Sequence, residues 1–306
     1  MQEKHKDSDA SGFVFLDKPA GITSFQLLFP LKRQFQTRRV GHAGTLDQEA
    51  TGLMVTALGK CTRLLEYIEA EQKLYSFRLH LGRSTDTLEY GATIVEEDPH
   101  GARSAEQLLA VRDQFLGLIS QIPPKYSAIK IDGRRASDMV REGLEVEIKP
   151  RSVEIFALDL VPACGTESDD HAPRQWFDLI CHCSKGTYIR SLGRDLAHAM
   201  GTCGSVSAIR RLRIGNVLVE QGQSPEDPAS FLLRTPEQVL PWPQVVITAA
   251  EWTELMQGRY IGCSLQRLLP TSASPAAPMV FAMHEGRAVC AGRHDQGRLY
   301  PSIQLV

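Results

Sequence analysis

The sequence predicts a mixed α/β chain with a smaller β-rich unit at its C-terminal end, and three observations predict it. Short apolar or alternating runs of strand length are interleaved with segments of helical periodicity. The 306 residues exceed the usual size of one domain. Prolines at Pro225, Pro228, Pro236, Pro241 and Pro243 mark a loose connection, which places a boundary near Pro243 between a large unit, 1–243, and a small one, 244–306.

Taken in order, Gly12 to Asp17 reads as a short strand ended by the turn Lys18-Pro19-Ala20-Gly21. Thr23-Ser24 can cap a helix through Phe25 to Phe35, which Pro30 must kink or interrupt. A glycine-rich loop follows, Gly41 to Gly52, with Asp47 near its centre. Leu53 to Ala57 reads as a strand, Cys61 to Glu69 as an amphipathic helix, and Lys73 to Leu81 as an alternating strand. Ser104 to Leu118 reads as a helix and Ile122-Pro123-Pro124 ends the segment.

From Lys125 to Arg151 the chain carries seven basic and five acidic residues with few apolar anchors, which marks an exposed excursion from the core. Strands are expected to resume at Val153 to Leu160 and Trp176 to Cys183, with a helix from Ser191 to Met200. Beyond Val245 short strands surround one helix, Ala249 to Gln257, with a proline-rich loop at Thr271 to Pro278.

Composition narrows the function. No apolar run approaches the length of a membrane span, and Met1 to Asp9 is charged without the apolar core of an export signal, so a cytoplasmic location is expected. The seven cysteines are odd in number and scattered, and are read as reduced thiols. Cys181-His182-Cys183 invites a metal reading, but strand alternation puts the two thiols on one face and His182 on the other. Although the formal net charge is −2, the bases cluster: Lys32, Arg33, Arg38 and Arg39 precede the glycine loop, and Arg210, Arg211 and Arg213 form a second group. Either cluster fits a solvated face or a phosphate-binding one.

Three side chains stand out for chemistry: Asp47 on its loop, Tyr75 at a strand end, and Arg190 between a strand and a helix. Thr45-x-x-Gln48 also fits a capping box in which Asp47 merely caps a turn. The chain has no phosphate-cradling glycine-lysine loop, no nucleophile-elbow serine and no HExxH zinc motif. Asp47 and Glu49, two positions apart, would point in opposite directions on an extended chain, which speaks against a glycosidase pair.

Gly41 to Leu53 closely resembles the motif around the catalytic aspartate of the TruB-type tRNA pseudouridine synthases. The resemblance extends, in the same order, through Leu16 to Ser24, Lys73-Leu74-Tyr75, Leu81-Gly82-x-x-Thr85-Asp86-Thr87, Gln121 to Lys130, Cys183 to Arg190 and Ile209-Arg210-Arg211-Leu212. It implies a mainly antiparallel central sheet flanked by helices, and isomerisation of the uridine at position 55 in the TΨC arm of tRNA. No cofactor or metal is implied. The partner would be the tRNA stem-loop, with no membrane and no obligatory protein partner, and the chain would act as a monomer.

Carried over position by position, the resemblance makes Asp47 the catalytic carboxylate, Arg190 the arginine that pairs with it, and Tyr75 the residue that stacks on uracil. His42 would fill the stack vacated by the extruded base. Tyr188 and Ile209 would line the uracil pocket. Lys18, Lys130, Arg210 and Arg211 would meet phosphates or hold the loop, with Lys125 to Arg151 as a flap over the RNA. Two positions depart from the family pattern: Gln48 stands where proline is usual and Ile209 where leucine is usual. Residues Gly286 to Gly292 and Leu299-Tyr300-Pro301 are similar to the PUA RNA-binding domain, so the C-terminal unit is expected to be PUA-like. Two other readings share these features, the catalytic subunit of a guide-RNA particle and an RNA-folding protein that opens the tRNA elbow.

Overall fold

The computed structural model describes residues 9–127, 129–131, 133–169, 172–269 and 279–306. The proline-rich loop expected at Thr271 to Pro278 lies outside them. A nine-stranded sheet forms the larger part of the molecule. Its main path runs Gly12–Lys18, Thr51–Leu58, Gly204–Ile214, Lys73–Leu81, Ala172–Cys183, Arg151–Asp169 and Gly117–Gln121. Every pairing along it is antiparallel except that of Gly204–Ile214 with Thr51–Leu58. The sheet is thus mainly antiparallel, as expected.

The Thr51–Leu58 strand, TGLMVTAL, is buried from Gly52 onward because it lies between two other strands with apolar matter on both faces. Gly52, at φ +104°, admits the neighbouring strand: a Cβ there would sit 2.3 Å from the Arg211 carbonyl oxygen. The helix Ile189–Ala199 lies against the sheet through Leu192, Leu196 and Ala197. Gly193 lets it approach, since a Cβ would come 2.2 Å from Val206 Cγ1. Among the described residues no helix is long and apolar enough to cross a membrane.

A six-stranded sheet follows, in the order Ile261–Gly262, Arg298–Gln304, Arg287–Asp295, Met279–His284, Gln244–Val246, Leu268–Leu269. The helix Ala249–Met256 packs on it, started by a capping box between Thr248 and Glu251. Val245, Ile247, Leu255, Val280, Val289 and Leu299 form its core. A separate apolar cluster crosses to the larger sheet. There Tyr67 meets Trp242 edge-on at 4.8 Å, and Trp242 lies 4.9 Å from Phe281.

Several elements differ from expectation. The expected helix Phe25 to Phe35 is interrupted at Pro30 and not kinked: a 3-10 turn at Gln26–Leu28 is followed by the helix Phe29–Gln34, whose first turn holds Pro30, where a missing N–H costs nothing. Cys61 to Glu69 divides into the 3-10 segment Gly59–Leu64 and the helix Leu65–Ala70. The helix Ala105–Arg112, continued by a 3-10 turn to Phe115, stops short of Leu118, because Gly117 at φ +76° turns the chain into a further strand. The two strands of the long hairpin reach well beyond Val153 to Leu160 and Trp176 to Cys183. Gly204–Ile214 was not legible as a strand, because two irregularities in its pairing break the alternation and its arginines mimic a surface cluster.

Candidate active site

The segment from Ala43 to Ala50 has no helix or strand, and side chains from four places carry it. Lys18, fully buried, donates from Nζ to the carbonyls of Gln48 (2.8 Å), Ala50 (2.6 Å) and Pro19 (2.9 Å). Burial pulls its pKa down to about 8, opposed by Glu49 and Asp47. Ser24 Oγ accepts from the Leu46 N–H and donates to the Leu46 carbonyl, both at 2.9 Å. Arg211, 1% exposed, donates from Nε to Leu53 O (2.8 Å) and from Nη2 to Gly44 O (3.1 Å). Gln48 donates from its side chain to Gly21 O, and its carbonyl accepts from Gly21 N–H, so this position is tied to the Lys18–Gly21 turn through backbone and side chain. Thr45 and Gln48 do not form a capping box; Asp47 is engaged elsewhere.

Its partner is Arg190, at the start of the helix Ile189–Ala199 and only 3% exposed. Arg190 Nη2 donates to Asp47 Oδ1 at 2.8 Å and to Tyr126 O at 3.0 Å, while Nη1 donates to Thr87 O at 2.9 Å. On the other side of the guanidinium, Nε stands 3.6 Å from Glu89 Oε1. Burial raises the Glu89 pKa, against the pull of Arg190. One buried cation therefore faces two carboxylates, and the Asp47 side chain keeps about a third of its surface open.

That open side meets a cavity of about 930 Å³, lined among others by Tyr75, Ile209, Tyr188, Arg190, Lys73 and Arg151. The volume suits a nucleotide-sized ligand. Tyr75 pairs with Arg211 across adjacent strands. Burial raises its hydroxyl pKa, opposed by the Arg211 guanidinium, so the phenol is neutral at pH 7. Ile209 reaches the cavity through an irregularity between Ser207 and Arg210, where Ala208 takes a positive φ of 50°. Tyr188 is held by Gln121, which accepts from its N–H (2.8 Å) and donates to its carbonyl (3.1 Å). The Arg151 guanidinium lies over the Tyr188 ring at 4.5 Å.

The fold thus gathers Asp47, Arg190, Tyr75, Tyr188 and Ile209 around one space. His42 stands apart: it pairs with Thr56 in the Val40–His42 strand and is not among the lining residues, and burial followed by Arg211 lowers its pKa. Lys18 and Arg211 hold the loop from beneath. Arg210 makes a bidentate pair with Asp17 at 2.7 and 3.0 Å. The side chain of Lys130 lies outside the described residues. Glu89, Arg151, Lys73 and Gln121 escaped the sequence reading as site residues. Lys73 and Gln121 stand inside motifs of the resemblance, Lys73-Leu74-Tyr75 and Gln121 to Lys130, Glu89 lies two positions beyond Thr85-Asp86-Thr87, and Arg151 ends the exposed excursion.

Cys181 and Cys183 share a strand face opposite Tyr75 and Lys73, while His182 faces Arg213 and Phe156 on the other. Among the described residues no group of three or more His, Cys, Asp or Glu side chains could hold a metal ion.

A family model described as TruB family pseudouridylate synthase (N terminal domain) matches residues 32–189. The chain belongs to this family. The TruB assignment is matched by relatives aligned over nearly their whole length. A protein named tRNA pseudouridine synthase B from Caulobacter sp. (strain K31) is 37% identical over 98% of both chains. One of the same name from Corynebacterium glutamicum is 36% identical over 90% of this chain and 92% of its own. Among solved structures, an H/ACA RNP bound to a substrate RNA containing 2'-deoxyuridine aligns with a TM-score of 0.66 at 19% identity. That alignment covers 96% of this chain and 85% of the other, and shows a shared fold. As a TruB-family pseudouridylate synthase, the enzyme isomerises uridine to pseudouridine.

Proposed function

We propose that this enzyme acts on tRNA, at the uridine in position 55 of the TΨC arm, with Asp47 as the catalytic carboxylate. The observation that carries the reading is the Asp47–Arg190 contact at 2.8 Å, on the wall of a cavity that also presents Tyr75. The tRNA substrate is supported by the names of the relatives that align nearly end to end.

In the isomerisation the bond from ribose C1' to uracil N1 breaks, a bond from C1' to C5 forms, and C5 gives up its proton while N1 gains one. Nothing is oxidised or reduced. Asp47, on its fixed loop, attacks the nucleoside or assists glycosidic cleavage, and Arg190 orients it through a charge-assisted hydrogen bond. Tyr75 stacks on the uracil, and its neutral hydroxyl is available for proton transfer. Tyr188 and Ile209 wall the pocket. His42 fills the stack that the flipped base leaves, its neutral ring suiting it to stacking. Residues 125–151 cover the RNA, and the Arg190 bond to Tyr126 O ties the root of that segment to the catalytic arginine. Residues 1–243 act as the catalytic domain and 244–306 as a PUA-like RNA-binding domain.

The chain works in the cytoplasm as a monomer, without a guide RNA or a protein partner. Mapping pseudouridine in unmodified tRNA incubated with the pure protein tests this. A single new pseudouridine at position 55 is the expected result; modification elsewhere, or none without added RNA or protein, would refute it.

A further inference from the structure

Phe25 and Phe29 are 59% and 50% exposed, and their rings meet edge to face with centroids 5.3 Å apart. Lys32 lies over both, its Nζ 4.9 Å from one centroid and 5.7 Å from the other. An aromatic pair left in water and topped by a cation needs a reason, since burying either ring would be favourable. The surrounding sequence is one-signed: between Asp17 and Asp47 there is no acid, but there are Lys18, Lys32, Arg33, Arg38 and Arg39. The patch is also tied to the catalytic loop. Ser24, next to Phe25, makes the two hydrogen bonds to Leu46, whose neighbour is Asp47.

We propose that Phe25 and Phe29 form a stacking platform for an unpaired base of the substrate RNA close to the reacting uridine, with Lys32 meeting the adjoining phosphate. The inference rests on the RNA-modifying reading of the enzyme. Aromatic faces interleaved with cations suit single-stranded nucleic acid, because every base has a π-face and every linkage a negative charge. Two phenyl rings fall far short of the roughly 800 Å² per partner that a stable protein interface buries. Because Ser24 and Leu46 fix the platform to the Asp47 loop, a base stacked there sets the register in which the neighbouring uridine meets the carboxylate.

The test uses the full chain and an unmodified TΨC stem-loop carrying 2-aminopurine at each unpaired position other than the reacting uridine, one at a time. In the unaltered enzyme one position should be quenched on binding. In Phe25→Ser/Phe29→Ser that quench should vanish and KM should rise about tenfold with kcat held, as the loss of one base–aromatic stack implies. Phe25→Trp/Phe29→Trp should retain both properties. Lys32→Gln should lower the salt dependence of binding by the equivalent of about one phosphate contact. Unchanged KM and quenching in the serine variant would overturn the proposal. So would a serine variant altered only in sedimentation, which would assign the patch to a second copy of the chain. If the unaltered enzyme formed no pseudouridine in tRNA while the serine variant still lost RNA binding, the functional reading would fail and the platform would stand.

Discussion

Around Asp47 and in the C-terminal sheet the same chain is held by different forces. Between Ala43 and Ala50 few backbone groups pair with one another. The segment is fixed by buried cations and a hydroxyl reaching its carbonyls, Lys18 and Arg211 from below and Ser24 from the side. From Met279 to Gln304 the backbone instead pairs strand to strand, and Val280, Phe281, Val289 and Leu299 are fully buried. Directional bonds fix the position of the group proposed to meet the substrate. Apolar burial supplies cohesion but is non-directional. Damage to the first region should therefore appear in rate, and damage to the second in stability.

Substitution at Asp47 should separate the two regions most cleanly. Asp47→Asn should lower pseudouridine formation by about 10⁴-fold, the upper range for a single acid–base group, with the melting temperature and RNA affinity nearly unchanged. Rapid-quench assay, thermal melting and filter binding check the three together; a stable variant that turns over normally would refute the role of Asp47. Phe281→Ala should do the converse. Removing a fully buried ring that also supports Trp242 should cost about 3–5 kcal/mol in urea unfolding, while the folded fraction keeps its single-turnover rate.

Arg211→Met should affect both readouts. It leaves the carbonyls of Leu53 and Gly44 short of a donor beneath the Asp47 loop, at about 2–4 kcal/mol in unfolding free energy, and on the proposed role of Asp47 kcat should fall because that carboxylate is less well placed. Glu89→Gln should be milder, about tenfold or less in kcat/KM, a typical cost for one partially screened charge contact. Because burial raises the Glu89 pKa, an acidic limb of the pH–rate profile should lie above the ordinary carboxylate range, and the glutamine variant should lose it.

A further effect concerns pH and Lys18. Its pKa falls from the usual 10.5 to about 8 on folding, so between those values the unfolded chain binds the extra proton. Stability owed to this site should therefore rise with pH from about 8 to 10.5. The gap in unfolding free energy between the unaltered protein and Lys18→Met should shift in favour of the lysine over that window, and a gap that is flat in pH would contradict the assignment.

Residue patterns alone disclosed a good part of this molecule. The glycine loop, the strand that carries Tyr75 and the β-rich C-terminal stretch are local features, written in apolar period and turn residues. The ordered motifs brought Arg190 to Asp47 across 143 positions, which no local pattern could have done. Tertiary structure decided the rest. Lys18 and Arg211 look like surface cations in sequence and are buried scaffolding. Glu89 is a second carboxylate on Arg190, and Ile209 faces the cavity because its strand carries an extra residue. The reason is common to all of these: a charge's role depends on which carbonyl or counter-charge the fold places within about 3 Å of it, and a one-residue irregularity reverses the side chains that follow. Sequence spacing encodes neither.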